Sequence, residues 1–368
     1  MKIRAADLFC GAGGTSAGLN DACLSLGHEL DLVAVNHWPT AIETHSASHS
    51  FAEHICENLD NVDPRKVISG GKLDILVASP ECTHFSRARC GKPKDDQSRA
   101  SGWHVLRWAE ALRPESVIVE NVPEWTEWSP LQDNGKVDPS FARGHTFRGW
   151  VSALEGLGYR VDWRVFNCAD FGDVTTRRRL FVMARKDGKI RWPEPTHSSE
   201  PDIFIQQRWK SARSIIDWED EGSSVFGRKR SVSPSTMKRI RMGVENFCGV
   251  TVLDSDDDGF VIEKSSDTVM HPLVVQIDNH SSGGHNCRLV DDPISTVVSK
   301  QRHCLVQPSL KSKSRMDVKL RILSNDELAK AHGMEDFQFH GNTAEITKQI
   351  GNSVPRRMAK ALCLAQLK

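Results

Sequence analysis

The chain has 368 residues, and its 48 Lys and Arg balance 48 Asp and Glu, which gives a formal net charge of zero. This balance excludes a protein that binds nucleic acid through its overall charge, so any such contact must come from local basic patches. A chain of this length can bury a large core and is expected to form two domains.

The cysteines and the hydropathy pattern indicate the compartment in which the protein works. The ten cysteines show neither a CxxC pair nor a zinc spacing, so we expect reduced thiols in a cytoplasm and no metal site. The N-terminus has no signal-peptide pattern, and no apolar run reaches the roughly 18 residues that span a bilayer. The sequence therefore predicts a cytoplasmic protein without a membrane partner.

A glycine-rich turn follows the first predicted strand. Residues 4–9 form that strand, and residues 10–19 lead from it into a helix. The glycines of the turn are Gly11, Gly13, Gly14 and Gly18. They let the backbone approach a ligand closely, and the helix N-terminus offers free N–H groups. Their spacing is not GxGxxG, which disfavours a dinucleotide site but leaves an S-adenosylmethionine site or a plain tight turn open.

The second predicted strand, residues 32–36, ends at polar and aromatic residues. In doubly wound folds a carboxylate at this position usually accepts the ribose hydroxyls of a nucleotide-like cofactor. Here Asn36 or His37 stands in its place, and both can hydrogen-bond a hydroxyl. Trp38 either stacks on adenine or packs in the core. A helix over residues 41–49 and a third strand ending near residues 56–60 follow.

A cysteine follows the strand predicted for residues 75–78. Cys82 lies just past the carboxyl end of that strand, where open α/β sheets bind ligands. The next residues make the loop basic: Arg87, Arg89, Lys92 and Lys94. A thiol beside these cations suits attack on a group carried by an anionic polymer. The alternative is a buried cysteine that caps a core strand.

The following elements bring a carboxylate to the same edge. Residues 96–112 have the spacing of an amphipathic helix, which predicts a core position for Trp103. The strand predicted for residues 116–123 is apolar up to Glu120, near its carboxyl end. A helix over residues 147–157 and a strand over residues 160–166 come next.

Three arginines precede the strand predicted for residues 180–184. The period of two in an extended chain puts Arg177 and Arg179 on one side and Arg178 on the other. Two guanidinium groups on one side suit a carboxylate or phosphate partner. Residues from about 198 to 318 are predicted to be irregular, with short strands and small basic clusters. A capping box, Ser324 with Glu327, begins a helix that runs to about His332, and a last helix covers residues 357–367.

Five motifs, taken in order, resemble the cytosine-C5 DNA methyltransferase family over nearly the whole chain. They are Asp7 to Gly14, the loop from Pro80 to Ser86, Glu120 to Val122, the pair Arg177 and Arg179, and Gln349 to Pro355. The resemblance implies an α/β fold with a doubly wound mixed sheet of the class I S-adenosylmethionine-dependent methyltransferase type. It also implies a smaller, irregular, β-rich target-recognition domain. The expected boundaries are 1–195, completed by 338–368, for the catalytic and cofactor-binding domain and 196–337 for target recognition.

The resemblance also implies the reaction, a methyl transfer from S-adenosylmethionine to C5 of a flipped-out cytosine in double-stranded DNA. Cys82 would add to C6 of the base, Glu120 would hold or protonate ring N3, and Arg177 and Arg179 would steady the loop, the base or the backbone. The donor would be bound by Phe9, Gly11, Gly13, His37, Trp38, Asn58, Asn352 and Ser353. The implied protein is a monomer in a prokaryotic or phage-infected cell, and a restriction endonuclease can accompany it.

The sequence departs from the family pattern at four positions. Glu81 and Thr83 flank Cys82 where Pro and Gln are usual, Thr175 replaces Gln, and His37 replaces Glu. Glu81 disfavours the thiolate unless cations screen it, or else it makes a contact of its own. A modified target base, another donor, or an RNA substrate of the tRNA-methylating branch therefore stays open, although the long variable region favours DNA. A non-catalytic relative and a dehydrogenase fit the motifs less well.

Overall fold

The computed structural model describes residues 1–81, 101–132, 136–202, 207–277 and 287–368. Cys82, the predicted nucleophile, and the basic residues that follow it in the sequence lie outside these ranges. Of the described helices, none has the length and apolar character needed to cross a bilayer.

The first sheet carries the predicted site. Its strands are β1 (Lys2–Leu8), β2 (Glu29–Asn36), β3 (Ala52–Cys56), β4 (Ile75–Ala78), β5 (Ser116–Asn121), β6 (Arg160–Asn167) and β7 (Arg178–Arg185). Their order across the sheet is β3-β2-β1-β4-β5-β7-β6. Strands β1 to β5 pair parallel with one another, and β7 pairs antiparallel with both β5 and β6. The order reverses between β1 and β4, which is where such sheets form a ligand crevice.

Helices cover both faces of this sheet. The described helices are α1 (Gly14–Ser25), α2 (Pro39–Ser48), α3 (Pro64–Val67), α4 (Ser101–Leu112), α5 (His145–Gly156), α6 (Pro234–Phe247), α7 (Asn325–Ala331), α8 (Thr343–Asn352) and α9 (Arg356–Leu367). One core lies between the sheet and helices α4 and α5. The other lies between the opposite face and helices α1 and α9, so the last helix belongs to the core that the first strands form. The predicted α/β fold class is confirmed.

A second sheet occupies much of the region predicted to be irregular. Its strands are β10 (Ser223–Ser224), β11 (Val250–Asp256), β12 (Gly259–Lys264), β13 (Leu273–Gln276), β14 (Cys287–Leu289), β15 (His303–Leu310) and β16 (Arg315–Ile322). They run in the order β11-β12-β16-β15-β13-β14, with β10 beside β16, and all their pairings are antiparallel. Before them, β8 (His197–Ser198) and β9 (Gln207–Arg208) form a short ladder. The region is thus more regular than predicted, because long-range pairing supplies the order that short-range patterns did not indicate.

An apolar cluster joins the two parts of the chain. It contains Ala12 of the glycine-rich turn and Val174 before β7, together with Ile294 and Val297, which precede β15. Ile350 of α8 completes the same cluster. The two sheets therefore share buried surface near the predicted site.

The prediction that Trp103 lies in the core is wrong. The residue is 42% exposed, while Trp108 of the same helix is fully buried. The buried stripe of α4 consists of Val105, Trp108, Ala109 and Leu112, which have the i, i+3, i+4, i+7 spacing of one helix face. Trp103 lies beside this stripe, and its ring packs against Trp128 at a centroid distance of 5.6 Å.

Candidate active site

A cavity of about 450 Å³ opens at the carboxyl ends of β1, β2, β4 and β5. Its volume lies within the range that small-molecule sites occupy. The predicted site residues that line it are Phe9, Gly11, His37, Trp38, Glu120, Arg177, Arg179, Asn352 and Ser353. A second cavity, about 360 Å³, lies between residues 60–65 and α4 and holds none of the predicted residues.

The glycine-rich turn forms one wall through an unusual backbone conformation. Gly11 and Gly13 have φ of 55° and 99°, and Phe9 has φ of 60°, which is strained for a residue with a side chain. This turn aims the first residues of α1, Gly14 and Thr15, at the cavity. Free N–H groups at a helix N-terminus favour polar or negatively charged ligand groups.

Sequence reasoning missed a buried polar chain behind this turn. Ser16 donates to Asp7 Oδ2 at 2.6 Å, and its oxygen lies 2.9 Å from His45 Nε2. His45 Nδ1 lies 2.8 Å from His54 Nε2. Burial raises the pKa of Asp7 to about 7 and, with neighbouring histidines, lowers that of His45 well below its usual value. The spacing of His45 and His49 by one helical turn was the available signal.

Gly13 belongs to this layer and does not line the cavity. A Cβ on Gly13 would collide with the ring of His49 and would lie 2.9 Å from His45. Burial lowers the pKa of His49 to about 4, so a neutral ring supports the turn at neutral pH. Asn58 is also away from the cavity lining, since its side chain accepts from Asp60 N and caps the short 3₁₀ turn that follows β3. The donor-binding roles of Gly13 and Asn58 stay predictions.

Polar groups converge at the end of β2. Asn36 Oδ1 accepts the Trp38 N–H at 2.9 Å, which fixes the turn into α2. Lys348 Nζ lies 4.1 Å from the centroid of the Trp38 ring, a cation–π contact at the cavity wall. His37 Nε2 lies 4.0 Å from Glu81 Oε1, and both of these residues line the cavity.

The carboxyl ends of β4 and β5 are tied together. Asn121 Nδ2 donates to the Pro80 carbonyl at 3.2 Å, so β5 holds the chain two residues before Cys82. Glu120 is 8% exposed, and its Oε1 lies 3.0 Å from Arg179 Nε. Sequence reasoning quoted Asn121 within a motif but gave it no role.

Arg177 and Arg179 line the same cavity in different surroundings. Arg177 is 2% exposed and donates through Nη1 to the Val297 and Gly351 carbonyls, at 3.2 and 2.9 Å. It thereby joins the segment before β15 to α8. Arg179 pairs with Glu120, and its Nη1 donates to the Arg178 carbonyl at 2.7 Å. Arg178 itself is exposed, as the alternation predicts.

The described part of the chain contains no group of three or more His, Cys, Asp or Glu side chains that could hold a metal ion. The cavity offers instead a nearly buried carboxylate with a guanidinium partner, an aromatic wall and a glycine-rich turn. This set of groups can bind a nucleoside and hydrogen-bond a polar heterocycle.

The family model for C-5 cytosine-specific DNA methylases matches residues 3–367. Among bacterial relatives, the Type II methyltransferase M1.HphI of Haemophilus parahaemolyticus is 28% identical over 374 residues, covering 100% of this chain and 87% of that protein. M.AgeI of Thalassovita gelatinovora is 28% identical over 241 residues, covering 60% of this chain and 52% of that protein. The match thus spans about half of M.AgeI.

Two solved structures share the fold. A prophage-encoded protein of E. coli matches with a TM-score of 0.56 and 18% identity, covering 99% of this chain and 98% of that one. A DNMT2 mutant from Spodoptera frugiperda matches with a TM-score of 0.56 and 15% identity, covering 100% of both chains. At these identities the likeness concerns the fold alone.

Sheet order, cavity position and structural neighbours together define an α/β protein of the class I methyltransferase type. The chain belongs to the C-5 cytosine-specific DNA methylase family, since the family model matches it almost from end to end. The predicted recognition is confirmed, and the family is one of C-5 cytosine-specific DNA methylases.

Proposed function

We propose that this chain transfers a methyl group from S-adenosylmethionine to C5 of a cytosine flipped out of double-stranded DNA, through a covalent Cys82 adduct. The observation that carries the proposal is the Glu120–Arg179 pair at the cavity. Pro80 and Glu81, the two residues that precede Cys82 in the chain, line the same cavity. The reaction requires a carboxylate, a guanidinium and a thiol nucleophile close to one another.

The chemistry assigns a task to each group. C5 of cytosine is too weak a nucleophile until a thiolate has added to C6, and Cys82 supplies that thiolate. Glu120 holds or protonates ring N3 as charge develops, and Arg179 keeps the Glu120 side chain in place. Loss of the C5 proton to a base and expulsion of the thiolate then restore the aromatic ring. S-adenosylmethionine supplies an electrophilic methyl group on its sulfonium when bound.

The cavity suits such a donor. Phe9 and Trp38 offer aromatic faces for adenine, and the turn at Gly11 lets the backbone approach the ligand. Asn352 and Ser353 bring polar groups to the same cavity from the C-terminal end of α8. His37 lies at the end of β2, where nucleoside hydroxyls bind in related sheets.

We assign DNA recognition to residues 196–337, the region that contains the second sheet. Its basic residues and its position between matched motifs support this assignment. The monomeric state and a companion endonuclease stay predictions.

Methyl transfer is tested by incubating the protein with donor labelled in the methyl group and DNA of diverse sequence. We expect label in the DNA, and 5-fluorocytosine at the target should trap the protein covalently because fluorine cannot leave as a proton does. Cys82→Ser should retain DNA binding and lose both label and trapping. Cys56→Ser is the matched control, since Cys56 is an exposed thiol at the end of the neighbouring strand β3, and it should keep full activity.

Two outcomes would contradict the proposal. Label in tRNA but in no DNA would assign the protein to RNA methylation. Absence of trapping by every variant that retains Cys82 would remove this residue from the role of nucleophile.

A further inference from the structure

The carboxylate of Glu81 lies within the donor cavity and faces the end of β2. Its Oε1 is 4.0 Å from His37 Nε2, and the two side chains are 40% and 58% exposed. Among the residues that the structure describes, His37 is the one ion-pair contact of Glu81. Lys348, the cation at this rim, lies over one face of the Trp38 ring. Glu81 is therefore accessible to a ligand in the cavity.

The end of β2 lacks the acidic residue that nucleoside-binding sheets of this kind place there. Asn36 carries no charge, and its Oδ1 has one lone pair left because it already accepts the Trp38 N–H at 2.9 Å. His37 can offer one nitrogen, whereas a ribose diol presents two hydroxyl donors. A carboxylate with two acceptor oxygens is the group that the site lacks at β2 and holds at Glu81.

We propose that Glu81 binds the ribose hydroxyls of the methyl donor together with His37, so that the acid of the ribose site stands after β4 instead of after β2. This inference rests on the proposed function, since it deepens the account of the same donor site. Glu81 is then a specificity residue for the donor nucleoside. Donor binding accounts for the presence of an acidic residue directly before Cys82 in the chain.

The inference is tested by calorimetry without DNA, using S-adenosylhomocysteine and its 2′-deoxy and 3′-deoxy analogues as probes. Glu81→Gln keeps the shape of the side chain and removes its charge. It should lower the affinity for S-adenosylhomocysteine about tenfold or more, as expected for a lost hydrogen bond to a charged group. At least one deoxy analogue should lose less affinity than S-adenosylhomocysteine on this substitution, because that analogue already lacks a hydroxyl that Glu81 contacts.

Two further variants sharpen the test. Glu43→Gln removes the same charge from the exposed face of the adjacent helix α2, outside the cavity, and should leave all affinities unchanged. Adding His37→Glu to Glu81→Gln returns a carboxylate to the end of β2 and should recover most of the lost affinity. Thermal unfolding of each variant verifies that the fold is retained.

Equal binding of S-adenosylhomocysteine by Glu81→Gln and the unmodified protein would overturn the inference. An equal loss of affinity for S-adenosylhomocysteine and both deoxy analogues in Glu81→Gln would also overturn the inference, since the effect would then be independent of the hydroxyls. Failure of the unmodified protein to bind S-adenosylhomocysteine would instead contradict the proposed function.

Discussion

Arg177 and Arg179 are two residues apart in the chain, yet their contacts differ in kind. Arg177 is buried and donates to two carbonyls from distant segments, Val297 and Gly351. Arg179 reaches the carboxylate of Glu120 instead. At the scale of single residues, the first arginine therefore positions the cavity wall, and the second acts on a group that we assign to the reaction.

Replacing Arg177 by Met should lower the free energy of unfolding by about 2–4 kcal/mol, because two buried carbonyls lose their donor. Urea denaturation measures this loss. Arg178→Met is the matched control in the same run of arginines, and it should leave stability unchanged because Arg178 is exposed. Unchanged stability in Arg177→Met, with methyl transfer abolished, would show that Arg177 acts on the substrate and not on the fold.

Replacing Arg179 by Gln should separate activity from stability. The pair with Glu120 is partly accessible, with side-chain exposures of 14% and 11%, so its loss should affect unfolding less than the loss of Arg177. The Glu120 side chain loses its partner, and kcat should fall while the KM for donor changes little. A change confined to stability would remove Arg179 from the reaction.

At the scale of elements, the contact between α1 and α9 joins the two ends of the chain. Gly18 of α1 lies directly against α9, where an added Cβ would be 2.5 Å from Ala359 Cβ and 2.8 Å from the Arg356 carbonyl. The preceding turn of α1 is equally close to the segment before α9, since a Cβ on Gly14 would collide with the Val354 carbonyl. The absence of side chains at these positions lets α9 approach, which brings Ser353 to the cavity.

Gly18→Ala should therefore destabilise the protein by about 1–3 kcal/mol through overpacking, and it should weaken donor binding by displacing the segment before α9. Gly149→Ala is the matched control, because Gly149 lies inside α5 with open space around it and no atom within 4 Å of an added Cβ. That substitution should stabilise the protein by about 0.5–1 kcal/mol. Equal effects of the two changes in thermal unfolding would contradict the close packing of α1 and α9.

At the scale of the whole molecule, the second sheet and the first meet at a shared apolar cluster near the cavity. Hydrogen bonds cross the same boundary, since Val174 N donates to the Ala331 carbonyl and Thr176 N to the Ile294 carbonyl. A base held in the cavity and a recognition surface on the second sheet would thus be kept in fixed relation by buried contacts.

Exchange of residues 196–337 with those of a relative of known site should transfer the methylated sequence to the chimera. Base-resolution sequencing of host DNA, with the reciprocal chimera as control, measures the outcome. Specificity that remained with residues 1–195 would contradict the domain assignment. Chimeras should also lose stability unless Ile294 and Val297 are kept, because both pack into the shared cluster.

Chain order and local pattern determined the strand ends of the first sheet, because a buried strand, its glycine or proline boundary and the polar residue after it are neighbours in sequence. The motif residues at those ends, such as Phe9 and Glu120, could therefore be assigned to one sheet edge before any coordinates. Tertiary structure alone decided the rest, because it depends on contacts between distant segments. Arg177 and Gly351 are 174 residues apart, and the strand pairing that orders the second sheet is similarly non-local. The approach of Glu81 to His37 is also non-local, since it follows from the reversal of strand order that sets β4 beside β1.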